Sequence, residues 1–360
     1  MQKDIKNKRF GHIDLIETLA IIFVVFYHSS YYIFDFVNEP NFLYCFRYYL
    51  RTFVSTCCPL FFFANGYLLL PKELDLKKHY RKVLRFFIIM SFWGLVELFV
   101  LQFFKGEYMT PGGMIYGLVT LRADWINHLW FMGAMIAIYL FFPLIKVVFD
   151  HDKKIFLISA ITLFILTIAN ISANYTISSL LYALNLAETR MKHDFFQYFS
   201  FFGLGSRMYS FVYFAFGGLA CFYEEKIRKI RHRNIYAIVT ILISSVLLFL
   251  VGVCYSEMKK EVWDVVWSGY DTIFTFMMTL SIYALSLNYK GGNKVIETIS
   301  RNTLGIYLLH PIVKPVLVNI LYRYPINSYF LSLLFSLFTI AVTFLLVQMI
   351  KKIPVLRDLI

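Results

Sequence analysis

Three ionisable side chains stand on one apolar run. It begins Ile13-Asp14-Leu15-Ile16-Glu17-Thr18 and ends Val24-Val25-Phe26-Tyr27-His28. Glu17 and His28 are eleven residues apart, which on a helix leaves them about 20° from alignment. Asp14 falls about 40° to the other side, so all three share one face. Histidine is the side chain best suited to move protons near neutral pH. His28 therefore reads as a general base that deprotonates a hydroxyl nucleophile. The competing reading is a packed imidazole bonded to a neighbouring helix.

Other chemistry-bearing residues follow along the chain. Glu97 lies in an apolar run, where a carboxylate needs a cation or a proton. Depth places it about level with His28, near 21 Å against 22 Å from the same boundary. The spacing thus predicts a His28–Glu97 contact of the base–carboxylate kind. Against it stands a protonated Glu97 bonded elsewhere. His128 precedes Leu129-Trp130-Phe131 at the outer surface. It reads either as part of the same chamber or as an exposed loop histidine, and Trp130 as an aromatic-belt residue. Tyr80-Arg81-Lys82-Val83-Leu84-Arg85 reads either as a phosphate clamp or as flanking positive charge. Tyr307, His310 and Lys314 follow in one span with Pro311 and Pro315. The prolines predict a kinked, broken helix. His310 and Lys314 share a face. A mid-membrane lysine suits an anionic ligand passage, or a structural ion pair with a carboxylate.

The elements that position these residues are membrane helices. Of 360 residues, 59% are apolar and only 16% charged. That excludes an ordinary soluble chain. Apolar stretches of about 20 residues recur, each long enough to cross the hydrocarbon core. They predict an all-α integral membrane protein, a single polytopic domain over 1–360 with about ten spans. These are placed at 13–34, 46–70, 83–104, 128–149, 155–182, 207–223, 235–255, 270–289, 304–324 and 327–350. With this placement, 24 of the 35 Lys and Arg fall on the side of the termini and 10 on the other. Basic residues accumulate on the cytoplasmic side, which predicts both termini cytoplasmic. The net charge of +13 is then a topology signal and not a nucleic-acid footprint. Five cysteines, all in or near spans, show no metal spacing and no disulfide framework. The first apolar segment is expected to stay as a helix, not to be cleaved. The aromatic run 193–199 within the outer piece 185–206 is expected to be interfacial or re-entrant.

Several of these segments, taken in order, resemble the acyltransferase 3 family of integral-membrane bacterial acyltransferases. The first span resembles its Ile-Asp opening and histidine end. Pro59-Leu60-Phe61-Phe62-Phe63-Ala64-Asn65-Gly66-Tyr67 is similar to its second-span motif. Arg81, Lys82 and Arg85 match its basic entry to the third span. His128-Leu129-Trp130-Phe131, with Tyr139 and Pro143, matches its Leu-Trp-Phe helix. Phe214-Ala215-Phe216-Gly217-Gly218 resembles a further helix. Ser300-Arg301-Asn302-Thr303-Leu304-Gly305-Ile306-Tyr307-Leu308-Leu309-His310-Pro311 is close to its Tyr-Leu-x-His-Pro segment.

The resemblance implies acyl transfer from cytosolic acyl-CoA, commonly acetyl-CoA, with no metal. The implied acceptor is a hydroxyl of an extracytoplasmic surface glycan or its lipid-linked precursor. The implied site is the bacterial cytoplasmic membrane. It makes His28 the essential histidine, Arg81, Lys82 and Arg85 contacts to the coenzyme A phosphates, and Tyr307 and His310 structural or site-lining. Asn65 or His128 would stabilise the oxyanion. Glu17 replaces the family's Arg or Lys, and Asn65 its serine. Glu17 is then expected to anchor Arg81 or Arg85, leaving those arginines, Lys8 or Arg9 for the donor. The rival class is a multi-pass transporter of an amino acid or lipid-linked sugar. A third is an accessory subunit of a polysaccharide synthase. Membrane lipid is the expected surrounding; the oligomeric state and the choice of acyl group stay open.

Overall fold

The computed structural model describes residues 9–29, 34–186, 207–321 and 329–360. The segment 193–199, Lys8 and Arg323 lie outside the described residues. The chain forms α1 (Gly11–Ser29), α2 (Phe42–Val54), α3 (Cys57–Leu69), α4 (Leu76–Lys105), α5 (Pro111–Val119), α6 (Trp130–His151), α7 (Lys153–Phe164) and α8 (Asn170–Ala183). After them come α9 (Tyr209–Phe222), α10 (Glu224–Arg228), α11 (Arg233–Lys259), α12 (Ile273–Ser286), α13 (Lys294–Ser300), α14 (Thr303–Leu321), α15 (Tyr329–Ile350) and α16 (Pro354–Arg357). There is no strand among the described residues, and the protein is an all-α integral membrane protein.

Eight helical stretches are long and apolar enough to cross a membrane. Two shorter apolar helices, α9 and α12, stand where the remaining two of the ten expected spans were placed. Each has 14 residues, about 21 Å of helix, which is short of a 30 Å hydrocarbon core. Hydropathy counted the apolar residues flanking each helix as part of the span. The stretch Phe42–Leu69 is also not one helix but two. Thr52, Ser55 and Thr56 each turn a hydroxyl onto a carbonyl three residues back, at 2.7–2.8 Å. Such local bonds compete with the helical ladder.

Small residues set the closest contact in the bundle. Cβ atoms built on Gly66 and Gly217 would overlap the Phe214 and Phe63 carbonyl oxygens respectively. The backbones of α3 and α9 therefore touch, as small residues allow between membrane helices. A π turn at Ile165–Ala169 joins α7 to α8, and Ser172 reaches from there to accept the Ile273 amide that opens α12, at 2.6 Å.

Contrary to the expected break, α14 runs unbroken through Pro311 and Pro315. Pro311 leaves the Tyr307 carbonyl without its usual donor. The His310 ring lies with Nδ1 3.2 Å from the Ile306 oxygen. Membrane helices tolerate prolines where side chains and neighbouring helices re-satisfy the backbone.

The start of α4 is capped by Asp75, whose carboxylate accepts the Lys78 amide at 3.0 Å. That hydrogen bond holds the carboxyl below its usual range. A carboxyl depressed in the folded state contributes fully at neutral pH, and the contribution is lost as pH falls through its folded value. Asp75→Ala is expected to speed amide exchange at residues 76–79 several-fold at neutral pH, and less at acid pH. Equal exchange in both proteins at neutral pH would contradict the cap.

Candidate active site

A cavity of about 570 Å³ gathers side chains from several helices. α1 contributes Val24, Tyr27 and His28; α2 contributes Arg51; α3 contributes Cys57 and Cys58. Asp124, Asn127 and His128 arrive just before α6, followed by its Trp130 and Phe131. The 262–270 turn supplies Val262, Asp264, Trp267 and Tyr270, and α14 supplies Tyr307 and Lys314. A smaller adjoining space of about 330 Å³ shares His28, His128 and Lys314 and adds Glu97 and Lys105.

Three histidines converge at this cavity, two of them lining it. Ring centroids are 5.3 Å apart for His28 and His310, and 6.1 Å for His28 and His128 and for His128 and His310. His310 is fully buried and does not line the cavity. Glu97, only 1% exposed, meets His128 and not His28: Oε2 lies 3.4 Å from the His128 Nε2. The expected His28–Glu97 contact is corrected accordingly. Depth put Glu97 level with both histidines, but the azimuth of α4 around the bundle turns it to the mouth of α6. His128 is buried, so the exposed-loop reading of it falls as well.

One face of α14 holds this arrangement. The Tyr307 hydroxyl donates to the His128 carbonyl at 2.5 Å. The Lys314 ammonium donates to the His28 carbonyl. Positions 307, 310 and 314 are one helical turn apart and share a face. The lysine predicted to need a partner thus finds a backbone oxygen at the end of α1.

A second polar group was not singled out by sequence. The Tyr27 hydroxyl donates to Asp264 Oδ2 at 2.6 Å. Asp264 Oδ1 accepts the amides of Val266 at 3.0 Å and Trp267 at 3.3 Å. Arg51 stands 3.8 Å from Asp264 and stacks on Tyr27 and Phe34 at 4.9 and 4.4 Å. The available signal was Asp264-Val265-Val266-Trp267, whose aspartate can fold onto amides two and three residues ahead.

The remaining expected site residues lie elsewhere. Glu17 starts eleven residues before His28, about 16 Å along α1. It contacts Ser300 at 2.7 Å, which also contacts Asp14 at 2.8 Å, and Arg9 pairs with Asp14 at 2.6 Å. The expected ion pair of Glu17 with Arg81 or Arg85 is not formed, because α13 delivers Ser300 to that face of α1 first. Asn65 is corrected too. It donates to the Phe61 carbonyl at 2.9 Å, accepts from Tyr139 at 2.8 Å and does not line the cavity. Eight residues beyond Cys57, it is about 12 Å further along α3, and cannot serve as oxyanion donor there. Arg81, Lys82 and Arg85 are exposed on the first turns of α4. The Lys82 ammonium sits 4.9 Å over the Tyr139 ring. Arg85 donates to the Asp358 carbonyl at 3.0 Å. Arg81 and Lys82 therefore keep open the expected clamp role, while Arg85 meets the C-terminal segment.

Fold and site together define a multi-pass membrane protein with a polar, histidine-lined chamber inside an apolar helical bundle. The acyltransferase domain model of the acyltransferase 3 family matches residues 10–350. The chain belongs to that family and is a membrane acyltransferase. No curated protein and no solved structure matches it.

Proposed function

We propose that the protein transfers an acyl group, acetyl in the simplest case, from cytosolic acyl-CoA to a hydroxyl of an extracytoplasmic glycan or its lipid-linked precursor. The observation that carries this reading is the meeting of His28, His128 and Glu97 at one polar cavity. His28 takes the proton of the acceptor hydroxyl as its oxygen attacks the thioester carbonyl. His128, oriented by Glu97, donates to the oxyanion. Collapse of the tetrahedral intermediate expels the coenzyme A thiolate, which receives a proton and leaves as the thiol. Arg81 and Lys82 meet the coenzyme A phosphates, with Arg85 once it parts from Asp358. The enzyme sits in the bacterial cytoplasmic membrane with both termini inside, joining a donor on one side to an acceptor on the other.

Release of free coenzyme A in reconstituted vesicles tests the reaction. Glycan-stimulated release from acetyl-CoA supports it, and preference for succinyl-CoA would revise the acyl group. Glycan or amino-acid movement across the vesicle without coenzyme A release would establish the transporter instead. Arg81→Ala with Lys82→Ala is expected to raise KM for acyl-CoA about tenfold, and most at low salt. An unchanged KM would remove the clamp.

A further inference from the structure

We propose that the 262–270 turn forms the acceptor subsite and that its ligand is a pyranose ring, laid on Trp267 and bonded to Asp264. The proposal rests on the glycan-acceptor reading above and assigns it residues.

Trp130, Trp267 and Tyr270 form one aromatic wall of the cavity. Trp130 lies 5.3 Å from Trp267 and 5.8 Å from Tyr270, and Trp267 lies 6.2 Å from Tyr270. Trp130 and Tyr270 are buried, whereas Trp267 is 40% exposed. A large aromatic ring left open within a polar cavity is an exposed apolar surface awaiting a partner. The backbone that carries the ring is also held, because Asp264 accepts the Trp267 amide at 3.3 Å. Asp264 therefore anchors the platform's backbone and presents a carboxylate beside it. An ionised carboxylate has about four lone-pair sites, and the contacts above use three: Tyr27, Val266 and Trp267. Its side chain is 38% exposed, so a ligand O–H can reach it.

A sugar ring has this pattern of needs. It offers an apolar face of C–H bonds to an aromatic ring and an equator of hydroxyls that require acceptors and donors. A cavity of this size also falls in the range of small-molecule sites. An aromatic wall with an acid can alternatively hold a quaternary ammonium. The cations present argue against that occupant. Arg207 already stacks on Trp130 and Trp267 at 4.5 and 5.1 Å, and Arg51 and Lys314 line the same cavity. A second cation would meet like charge. Arg207 itself does not line the cavity.

The test is calorimetric binding of the strain's own surface polysaccharide, stripped of O-acyl groups by mild base, to the full protein in lipid nanodiscs. Saturable binding is expected, weakened about tenfold or more by Trp267→Leu and less by Trp267→Phe, which keeps a ring. Asp264→Asn should weaken it as well. If Trp267→Leu does not stay monodisperse, the comparison of Trp267→Phe with the intact protein still decides. Equal affinity in every variant overturns the subsite. So does choline binding in place of the polysaccharide. Coenzyme A release reports separately on the acyl-transfer reading. Polysaccharide binding without release would sink that reading and keep the subsite, while release without Trp267-dependent binding would do the reverse.

Discussion

Replacing His28 with alanine is expected to lower acyl transfer by at least a hundredfold, with the protein still present and folded in the membrane. A positioned base contributes about 10²–10⁴ in rate. The fold should survive, because α14 grips α1 through the His28 carbonyl and not its ring. The side chain is also only half-buried, at the cavity wall. His28→Asn is the sharper version, since it keeps a polar side chain and removes the base. Steady-state coenzyme A release at matched protein amounts checks both. Activity within threefold of the intact protein would make His28 a packed imidazole and shift attention to His128.

A large stability effect should come from Gly217→Ala. The added Cβ would overlap the Phe63 carbonyl oxygen and lie 2.9 Å from the Tyr67 nitrogen. Both are backbone atoms, so no rotamer change can relieve the clash. Overpacking of a tight interface costs about 1–3 kcal/mol, and two touching backbones put this case at about 3 kcal/mol or more. α3 also carries Cys57 and Cys58 to the cavity wall, so separating it from α9 opens the chamber. Gly133→Ala is the control, because a Cβ there meets nothing within 4 Å. Yield of monodisperse protein after detergent extraction should collapse for Gly217→Ala and hold for Gly133→Ala. Equal yields would mean that α3 and α9 are not in the contact described.

What the sequence reveals here is depth more than direction. The rise along each helix put His28, Glu97 and His128 at one level, and the structure gathers them there. Rise says nothing of how helices are arranged around the bundle, so Glu97 was matched to His28 when it contacts His128. Asn65 failed on depth itself, for α3 carries it about 12 Å past the cavity wall at Cys57. Hydropathy located every bundle helix, yet it blurred their ends. Apolar loop residues lengthened α9 and α12, and the hydroxyl turns at Thr52 and Ser55 divided a run that reads as continuous. The Tyr27–Asp264–Arg51 group escaped because its members come from three separate elements, and a loop aspartate ordinarily means a solvated turn. The proline pair misled for a related reason. A break was expected from the lost donors, but the helix tolerates both prolines and runs on.

The central claim, that the chamber at His28 acylates a surface glycan, is tested most directly by NMR of surface polysaccharide from three strains: the intact strain, a deletion and a His28→Ala replacement. The account predicts an O-acyl signal in the first that is absent from both others, with the shifted sugar proton marking the modified hydroxyl. An O-acyl signal undiminished in the His28→Ala strain, with the protein at normal levels, would contradict it.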